Sequence, residues 1–375
     1  MKQFWKRAGA ALMAVLMLLG TTACSSEDMT WAAKRGEKTI PIGAYIYYLF
    51  SAYNDASSMV EDSSQSVLSQ TVEGQDAETW IRAKAMQYIK TLFVLDDKME
   101  EMGLSFTEEE QQQIENSTNS QWTYMGSVLE NEYGIAKSSF QMAYPEYVAK
   151  YTKIFDAIYG RTGTSPVPEE DVKNYFEENY TSYAYMLRPL YHTSSESTQE
   201  TSGTESSTAE SSGTESSSSS SITEMTDEEI AAAKKEFDDF AAQITAGQMT
   251  AQEAAKEYQE STGLDAEQLS ENVGVVSTDN GTPEELVTLL EGLSNGQAGT
   301  TEVSLGTQKA YLLAVKYDIS EKTEESLADD TTYDAIISAM KGEEYSQMIE
   351  DAANNLKDVE INEKAMNSYK VSMFE

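Results

Sequence analysis

The sequence predicts an α+β protein: a helical N-terminal lobe, completed by a C-terminal helix, with a mixed α/β module inserted between them. Three observations support this prediction. Apolar residues recur at helical spacing from Ile40 to about Tyr159. Short β-like runs then alternate with helical segments over residues 166–320. Helical spacing returns over about residues 332–356, which we expect to form the final helix.

The most regular helical pattern runs from Ala77 to Met102, where apolar residues are spaced alternately four and three positions apart. Gly103 follows as a C-terminal stop signal. Thr107 and Glu110 have the spacing of a capping box, which predicts the start of the next helix. We interpret such stripes as core, while the 22 tyrosines leave open that some line an exposed groove instead. Two shorter stripes have the same spacing: Ile46, Leu49, Phe50 and Tyr53, and Tyr147, Tyr151, Ile154 and Ile158.

The inserted module contains further helix-start signals. Thr226 with Glu229, and Thr250 with Glu253, have capping-box spacing, and Pro283 is expected at a first helical position. The predicted helices cover 169–180, 227–245, 250–258 and a segment beginning at 282; the predicted strands cover 183–191, 273–277, 301–305 and 310–317. Beyond the module, the alternation of Tyr369, Val371 and Met373 predicts an edge strand.

Composition excludes several classes of protein. The 375 residues carry a net charge of −38, whereas nucleic-acid binding needs clustered Lys and Arg, so no nucleic acid is expected as a partner. The same charge disfavours electrostatic attachment to anionic lipid. A single His and a single Cys exclude a Cys/His zinc site and a disulfide framework. We expect neither a metal nor a cofactor.

The first 24 residues are expected to be a signal peptide. Three basic residues precede the apolar stretch 8–19, which is too short to span a membrane as a helix. Small residues before Cys24 resemble a bacterial lipobox, in which the Cys thiol is acylated. Thr21 replaces the usual Leu, which leaves lipidation open; a plain secretory signal is the alternative. The expected location is the extracytoplasmic face of a bacterial cell membrane, with residues 25–38 as a polar tether.

Residues 193–221 have a composition that cannot form a core. Serine occupies 14 of these 29 positions and no Lys or Arg occurs, so the segment buries too little apolar surface to offset chain entropy. We expect a disordered insertion, and whether its serines are modified stays open.

The order of elements in the module resembles that of a parvulin domain. Three stretches are similar to parvulin segments: FAAQITAGQMTAQEAAKEY (240–258), TPEELVTLLEGLSNGQ (282–297) and GTQKAYLLAVKYD (306–318). Upstream, residues 36–50 and 167–180 resemble the N-terminal lobe of SurA- and PrsA-like proteins and its junction with the parvulin module. The chain thus resembles exported foldase lipoproteins of the PrsA/SurA type, with a degenerate peptidyl-prolyl isomerase domain of the PpiC class.

The resemblance implies a division of the chain. Residues 25–165 would form the helical chaperone lobe, and residues 166–320 the parvulin-like module with its Ser-rich insertion. Residues 321–375 would supply a C-terminal helix and strand that pack on the N-terminal lobe.

The resemblance to parvulins is weakest at the catalytic residues. Parvulins share a pair of facing histidines beside a Cys or Asp, and a chain with one His cannot form that pair. The matching strand positions fall near Tyr185 and Tyr311, whose hydroxyls are candidates to take over hydrogen bonding. His192 is interpreted as a solvated loop residue, with a rescued active-site role as the alternative. Isomerase activity is therefore expected to be weak or absent, and the assignment as an enzyme stays uncertain.

A retained peptide-binding cleft is the hypothesis that follows from the resemblance. Its expected residues are Leu286, Leu290, Tyr311 and Leu313, and its expected partners are unfolded or nascent exported polypeptides. Tyrosine and methionine suit such binding because they adapt to varied sequences. The alternative is a non-catalytic ligand-binding or cell-wall spacer lipoprotein. The oligomeric state stays open, with a homodimer as one option.

Overall fold

The computed structural model describes residues 28–194, 221–263, 271–306 and 308–375. Cys24 with the expected signal peptide, and residues 195–220 of the Ser-rich tract, lie outside this part of the chain. The structure is α+β, which confirms the predicted class. Two compact units are present among the described residues: one combines residues 28–166 with Lys341–Glu375, and the other lies between Val167 and Met340. No helix in the described ranges is long and apolar enough to cross a membrane.

The first unit is built mainly from helices that begin at local signals. The side chain of Asp76 accepts a hydrogen bond from the Thr79 amide at the start of the predicted long helix, and the capping box of Thr107 and Glu110 is present. The helices are α1 (Ile42–Met59), α2 (Ala77–Glu101), α3 (Glu108–Asn131), α4 (Lys137–Ala143) and α5 (Pro145–Tyr159), with a small hairpin of β3 (Thr71–Val72) and β4 (Gln75–Asp76) before α2.

The core of this unit lies mainly between α1 and α2. Ile46 and Leu49 of α1 are buried with Ile81 and Leu92 of α2, as expected from the stripes, and Phe93 beside that stripe is buried as well. Gly43 lets α1 approach α4 closely, since a Cβ atom there would lie 2.6 Å from the Ser139 hydroxyl oxygen. A side chain at this position would force the two helices apart.

The polar tether expected over residues 25–38 is wrong for residues 28–38, the part that the structure describes. Instead, the strands β1 (Trp31–Arg35) and β2 (Lys38–Pro41) form an antiparallel hairpin. Ala32 and Ala33 are fully buried, although their charged neighbours make the segment polar in composition. Burial of these two small side chains depends on partners distant in sequence, which composition does not reveal.

The second unit combines helices with a four-stranded antiparallel sheet. Its elements are α6 (Glu169–Asn179), β5 (Thr181–Pro189), β6 (Tyr191–Ser194), β7 (Ser221–Glu224), α7 (Asp227–Thr245), α8 (Ala251–Thr262), β8 (Asn272–Gly274), α9 (Glu284–Gly292), β9 (Ala298–Leu305), β10 (Gln308–Tyr317), α10 (Thr323–Ala328) and the start of α11 (Asp330–Asn355). From Lys341 onward, α11 belongs to the first unit. The strands of the sheet have the order β8–β5–β10–β9. Buried residues of α7 and α8 pack on one face of β5 and β10, and those of α9 pack on the other.

Two local predictions in this unit need correction. The strand expected over 183–191 ends at Pro189, and β6 then pairs with β7 as a separate hairpin that includes residues 193, 194 and 221, which were expected to be disordered. Pro283 is the N-cap of α9 and not its first helical residue. Both capping boxes, at Thr226 and at Thr250, are confirmed.

The C-terminal residues return to the first unit. The Tyr345 hydroxyl on α11 donates a hydrogen bond to the Tyr151 carbonyl oxygen over 2.9 Å. After α11, the strand β11 (Glu360–Ile361) pairs with β1, and α12 (Glu363–Asn367) follows. The edge strand expected over residues 369–373 is wrong, since Val371–Phe374 form a 3-10 turn. Alternation over so few residues also fits a turn that buries Val371.

Candidate functional site

Tyr185 and Tyr311 lie on opposite faces of the sheet in the second unit. Tyr311 on β10 is directly opposite Arg188 on β5, whereas Tyr185 is opposite Ala314. Because side chains alternate between the faces of a sheet, this register separates the two tyrosines. Tyr311 packs with residues of α7 and α8, and Tyr185 packs on the α9 side. Their hydroxyls therefore cannot act together on one peptide bond.

The Tyr311 hydroxyl is already engaged by protein groups. It donates to Asp238 Oδ1 on α7 over 2.9 Å, and it lies 3.0 Å from the hydroxyl of Thr300. Thr300 donates to the same carboxylate over 2.6 Å. Burial raises the pKa of Tyr311, so this hydroxyl stays protonated at neutral pH. The arrangement holds α7 on the sheet and offers no free acid or base at Tyr311.

A charged cluster extends beside Tyr311. Lys234 on α7 and Lys309 on β10 both donate to Glu302 on β9, Lys234 over 2.6 Å. These two ammonium groups lower the pKa of Glu302 to about 2. The Lys234 ammonium also lies 5.4 Å from the centre of the Tyr311 ring. In the described ranges no group of three His, Cys, Asp or Glu side chains is arranged to hold a metal ion.

The expected peptide-binding residues do not form one surface. Leu286 and Leu290 of α9 are 4% and 2% exposed and pack on one face of the sheet. Leu313 is fully buried on the other face, where Tyr311 also lies. These leucines fill the core of the module. A polypeptide cannot reach them without opening the fold.

His192 lies on β6, in the hairpin that flanks the Ser-rich tract. Its side chain is half exposed, and its Nε2 atom lies 3.4 Å from Glu229 Oε1. Glu229 is the capping-box residue that begins α7. The position fits the interpretation of His192 as a solvated residue.

The α9 side of the sheet has a partly open apolar surface. Tyr183 and Tyr185 stack with their ring centres 6.2 Å apart and are half-buried beside Leu187 and Val276. A nearby cavity of about 490 Å³ is lined by α9 and β9, including Leu289. The surface is shallow, and an apolar segment can contact its exposed side chains.

The first unit has a larger amphipathic groove, between α3 and α5, which we call the α3–α5 groove. Its volume is about 560 Å³. Lys153 on α5 donates to Glu110 Oε1 on α3 over 2.6 Å and connects its two walls. Apolar and small side chains line most of the rest: Leu104, Phe106, Ile114, Pro145, Val148, Ala149 and Ala157.

One exposed apolar side chain lies in the groove itself: Val148 on α5 is 44% exposed. The α3 residues that line the groove end at Ser117. Farther along α3, beyond that lining, Tyr124 is 84% exposed and Val128 is 39% exposed, and the two are four positions apart on one side of the helix. Periodicity did not single out these residues, because a stripe that lines a groove has the same spacing as a stripe that faces the core.

Three tyrosines line a cavity, as in the alternative that some of the 22 tyrosines line a groove and not the core. A cavity of about 270 Å³ in the first unit is lined by Tyr88, Tyr147 and Tyr151 together with Lys84 and Glu350. Burial raises the pKa of Tyr147 to about 12. The Lys84 ammonium lies 5.4 Å from the centre of the Tyr88 ring. The ammonium group of Lys84 therefore lies beside a tyrosine ring of this cavity.

Comparison with known proteins gives structural similarity only. No known protein family matches the sequence, and no curated protein matches it. The structure is similar to the foldase protein PrsA from Lactococcus lactis, with a TM-score of 0.37 and 13% sequence identity, over 92% of this chain and 97% of that one. It is also similar to the foldase protein PrsA from Streptococcus pneumoniae, with a TM-score of 0.36 and 11% identity, over 80% and 96% of the two chains.

Proposed function

We propose that this protein is an extracytoplasmic, membrane-anchored folding factor that binds unfolded exported polypeptides. The observation that carries the proposal is the α3–α5 groove, with its apolar lining and the exposed side chain of Val148. Contiguous exposed apolar surface marks sites of protein interaction and ligand-binding grooves. An unfolded segment would gain about 25 cal/mol for each Å² of apolar surface that it buries there.

The groove suits varied sequences better than a single ligand. It is open along its length, and its polar groups, such as the ion pair of Lys153 with Glu110, lie among apolar side chains. Such a surface favours contact with many apolar segments at modest affinity.

The proposal includes little or no prolyl isomerase activity. Lowering a barrier of about 18–20 kcal/mol requires groups arranged around one twisted bond. Tyr185 and Tyr311 lie on opposite faces of the sheet, and the Tyr311 hydroxyl is bound to Asp238. The single His is half exposed, in the hairpin that flanks the Ser-rich tract. The second unit would then act as a scaffold or a second binding surface.

The anchor would be a lipid on Cys24. Two or more acyl chains would hold the protein at the membrane, where one chain alone binds reversibly. A Cys24→Ser variant should lose incorporation of a labelled fatty acid and appear in the culture medium of a bacterial host. Continued incorporation of label would exclude this anchor.

Aggregation of an unfolded model client tests the binding function. The chain from residue 25 onward contains every described residue, and we expect it to suppress light scattering at near-stoichiometric ratios. The variant Val148→Gln should lose part of this suppression because it removes exposed apolar surface from the lining of the groove.

The control variant is Met59→Gln. Met59 ends α1 and is 45% exposed, close to the 44% of Val148, but it does not line the groove. Suppression should be unchanged in this variant. An equal loss in both variants would mean that general surface hydrophobicity, and not the groove, binds clients. Absence of suppression by the unmodified protein would refute the function.

A further inference from the structure

Strand β9 lies at an edge of the sheet in the second unit and, within the described residues, pairs with β10 alone. At its start, the amide of Ala298 donates to the Thr245 hydroxyl over 2.9 Å, and that hydroxyl donates to the Ala298 carbonyl oxygen over 3.2 Å. The backbone groups of Ala298 therefore point away from β10. Because these directions alternate along an antiparallel strand, the backbone groups of Thr300, Glu302 and Ser304 also point away from β10.

The edge of β9 is open from Thr300 to Ser304. No other strand of the described chain pairs with it there. The side chains of Thr300 and Glu302 are bound to Asp238 and Lys234 on the α7 face of the sheet, and Ser304 is exposed. The open edge thus presents three amide donors and three carbonyl acceptors, of which the Glu302 carbonyl has a long 3.5 Å contact with the hydroxyl of its neighbour. Such an edge can pair with another extended chain.

A cavity lies against this edge on the α9 side of the sheet. Leu289 and Leu293 line it together with Thr300 and Thr301. The side chain of Thr300 is bound to Asp238 on the other face, so this residue reaches the cavity along its backbone at the edge of the strand. A chain paired with the edge would therefore place alternate side chains at an apolar cavity.

Two carboxylates also line the cavity. Glu284 and Glu285 are the first two residues of α9, and neither makes an ion pair with a residue that the structure describes. The described lining contains neither Lys nor Arg. A negative charge is favourable at the start of a helix, so both groups can stay charged without a partner. A basic side chain would complement them.

From the open edge and the cavity we infer that β9 binds an extended segment of an unfolded polypeptide as an added antiparallel strand. The inference rests on the proposed function for the kind of partner, and it adds a second site. Backbone hydrogen bonds supply the affinity of strand addition, and alternate side chains supply its specificity. The residue opposite Thr301 would direct its side chain to the α9 face, near Glu285 and Leu289. The favoured segment therefore alternates small polar residues with apolar or basic ones.

A labelled peptide of about seven residues, at about 3.4 Å each, covers the open edge. The probe alternates threonine with leucine and has arginine in place of the central leucine. In an antiparallel pair with β9 its threonine amides would face the strand, and its leucine and arginine amides would face solvent. Fluorescence anisotropy with the chain from residue 25 onward measures the Kd.

N-methylation of the probe tests strand addition directly. Methyl groups on two threonine amides should weaken binding at least about tenfold, because each removes a hydrogen bond to the edge. Methyl groups on two leucine amides are the matched control and should leave the Kd unchanged. Equal loss from both peptides, no loss from either, or loss from the leucine set alone would overturn the inference.

Two substitutions at one position localise the binding. Ser304→Pro removes an outward amide from the edge and no hydrogen bond to β10. Ser304→Ala keeps the amide and is the matched control. We expect the Kd of the probe to rise at least about threefold with proline and to stay unchanged with alanine. Circular dichroism checks the fold of both variants, and the N-methylated peptides test the inference even if the proline variant fails to fold.

The double variant Glu284→Gln with Glu285→Gln tests the charge complementarity. It should weaken binding of the arginine probe but not of a probe with glutamine in place of arginine. Glu169→Gln with Glu170→Gln is the matched control, because these glutamates also begin a helix after a proline N-cap in the same unit and do not line the cavity. An equal loss in the control would show that the basic side chain is not recognised at the cavity.

The remaining outcomes separate this inference from the proposed function. A dimer that Ser304→Pro dissociates, observed by analytical ultracentrifugation, would assign the edge to a second copy of the chain and overturn the inference. Absence of probe binding by a protein that still suppresses client aggregation would overturn the inference alone. Absence of both activities would refute the inference and the proposed function together.

Discussion

Lys153 donates to one carboxylate oxygen of Glu110, over 2.6 Å, while the other oxygen accepts the backbone amide of Thr107 over 2.7 Å. Glu110 is thus both the capping-box residue that begins α3 and the group that connects α3 to α5. These two contacts lower the pKa of the Glu110 carboxyl, that of Lys153 most strongly. The Glu110 side chain therefore caps the first turn of α3 and also connects α3 to α5.

The two roles of Glu110 can be separated by mutation. Glu110→Gln keeps a side chain that can accept the Thr107 amide bond, as Gln does in other capping boxes, and loses the ion pair. Glu110→Ala loses both contacts. We expect a loss of unfolding free energy of about 0.2–1 kcal/mol for Gln and a larger loss, by about 1 kcal/mol, for Ala. Urea unfolding measures both; equal losses would mean that the cap contributes nothing.

The hydrogen bond from Tyr345 to the Tyr151 carbonyl should stabilise the first unit. The Tyr345 ring is fully buried and meets the Tyr151 ring edge to face, with centres 4.6 Å apart. Tyr345→Phe keeps the ring and should cost about 0.5–1.5 kcal/mol. Tyr345→Ala also leaves a cavity and should cost about 3–5 kcal/mol.

Urea unfolding followed by circular dichroism measures these losses. Tyr124→Phe is the control, because Tyr124 is 84% exposed and should lose no stability. A Tyr345→Phe variant as stable as the unmodified protein would show that the hydroxyl contributes nothing to α11 packing.

Glu302 should make part of the stability of the second unit depend on acid. Lys234 and Lys309 lower its folded-state pKa to about 2, from 4.5. A lowered folded-state pKa adds stability that is present above pH 4.5 and is lost as the pH falls through about 2. The Tm of Glu302→Gln should therefore be below that of the unmodified protein at pH 5–7, and the two should converge between pH 4.5 and pH 2. A difference that stays constant down to pH 2 would contradict this.

Tyr311→Phe should leave prolyl isomerisation unchanged. The Tyr311 hydroxyl is bound to Asp238 and lies on the sheet face opposite Tyr185. Asp238 keeps its hydrogen bond from Thr300 in the variant, so the stability loss should stay below about 1.5 kcal/mol. A protease-coupled assay on the chain from residue 25 onward measures the activity. A rate above background that falls in this variant would assign Tyr311 a catalytic role.

The elements that could be predicted from the sequence are those whose boundaries are set by contacts between residues close together in the chain. The helix expected from Ala77 to Met102 is observed as Ala77–Glu101, and all three capping boxes are present. A cap joins residues three positions apart, so its energy is contained in one short segment. The pairing of β1 with β11 joins Ala33 to Ile361, and no local pattern predicts it.

In the candidate site, too, some features follow from the local sequence and others depend on long-range pairing. That Tyr185 and Tyr311 lie on strands was predictable from residue type and alternation. Which faces they occupy depends on the register of β5 with β10, where Tyr311 is opposite Arg188. A shift of one residue would have placed both tyrosines on the same face. Similarly, the spacing of Tyr124 and Val128 places them on one side of α3 but does not show whether another element covers that side.

By itself, the sequence determined the α+β class, the helix starts, the acidic surface and the absence of a histidine pair, because these follow from composition and short-range contacts. Tertiary structure alone decided that Leu286, Leu290 and Leu313 are core residues, that Ala32 and Ala33 are buried, and that α3 and α5 leave a groove between them. Burial and register depend on contacts between residues far apart in the chain, and a local pattern of apolar residues is the same whether a neighbouring element covers it or leaves it open.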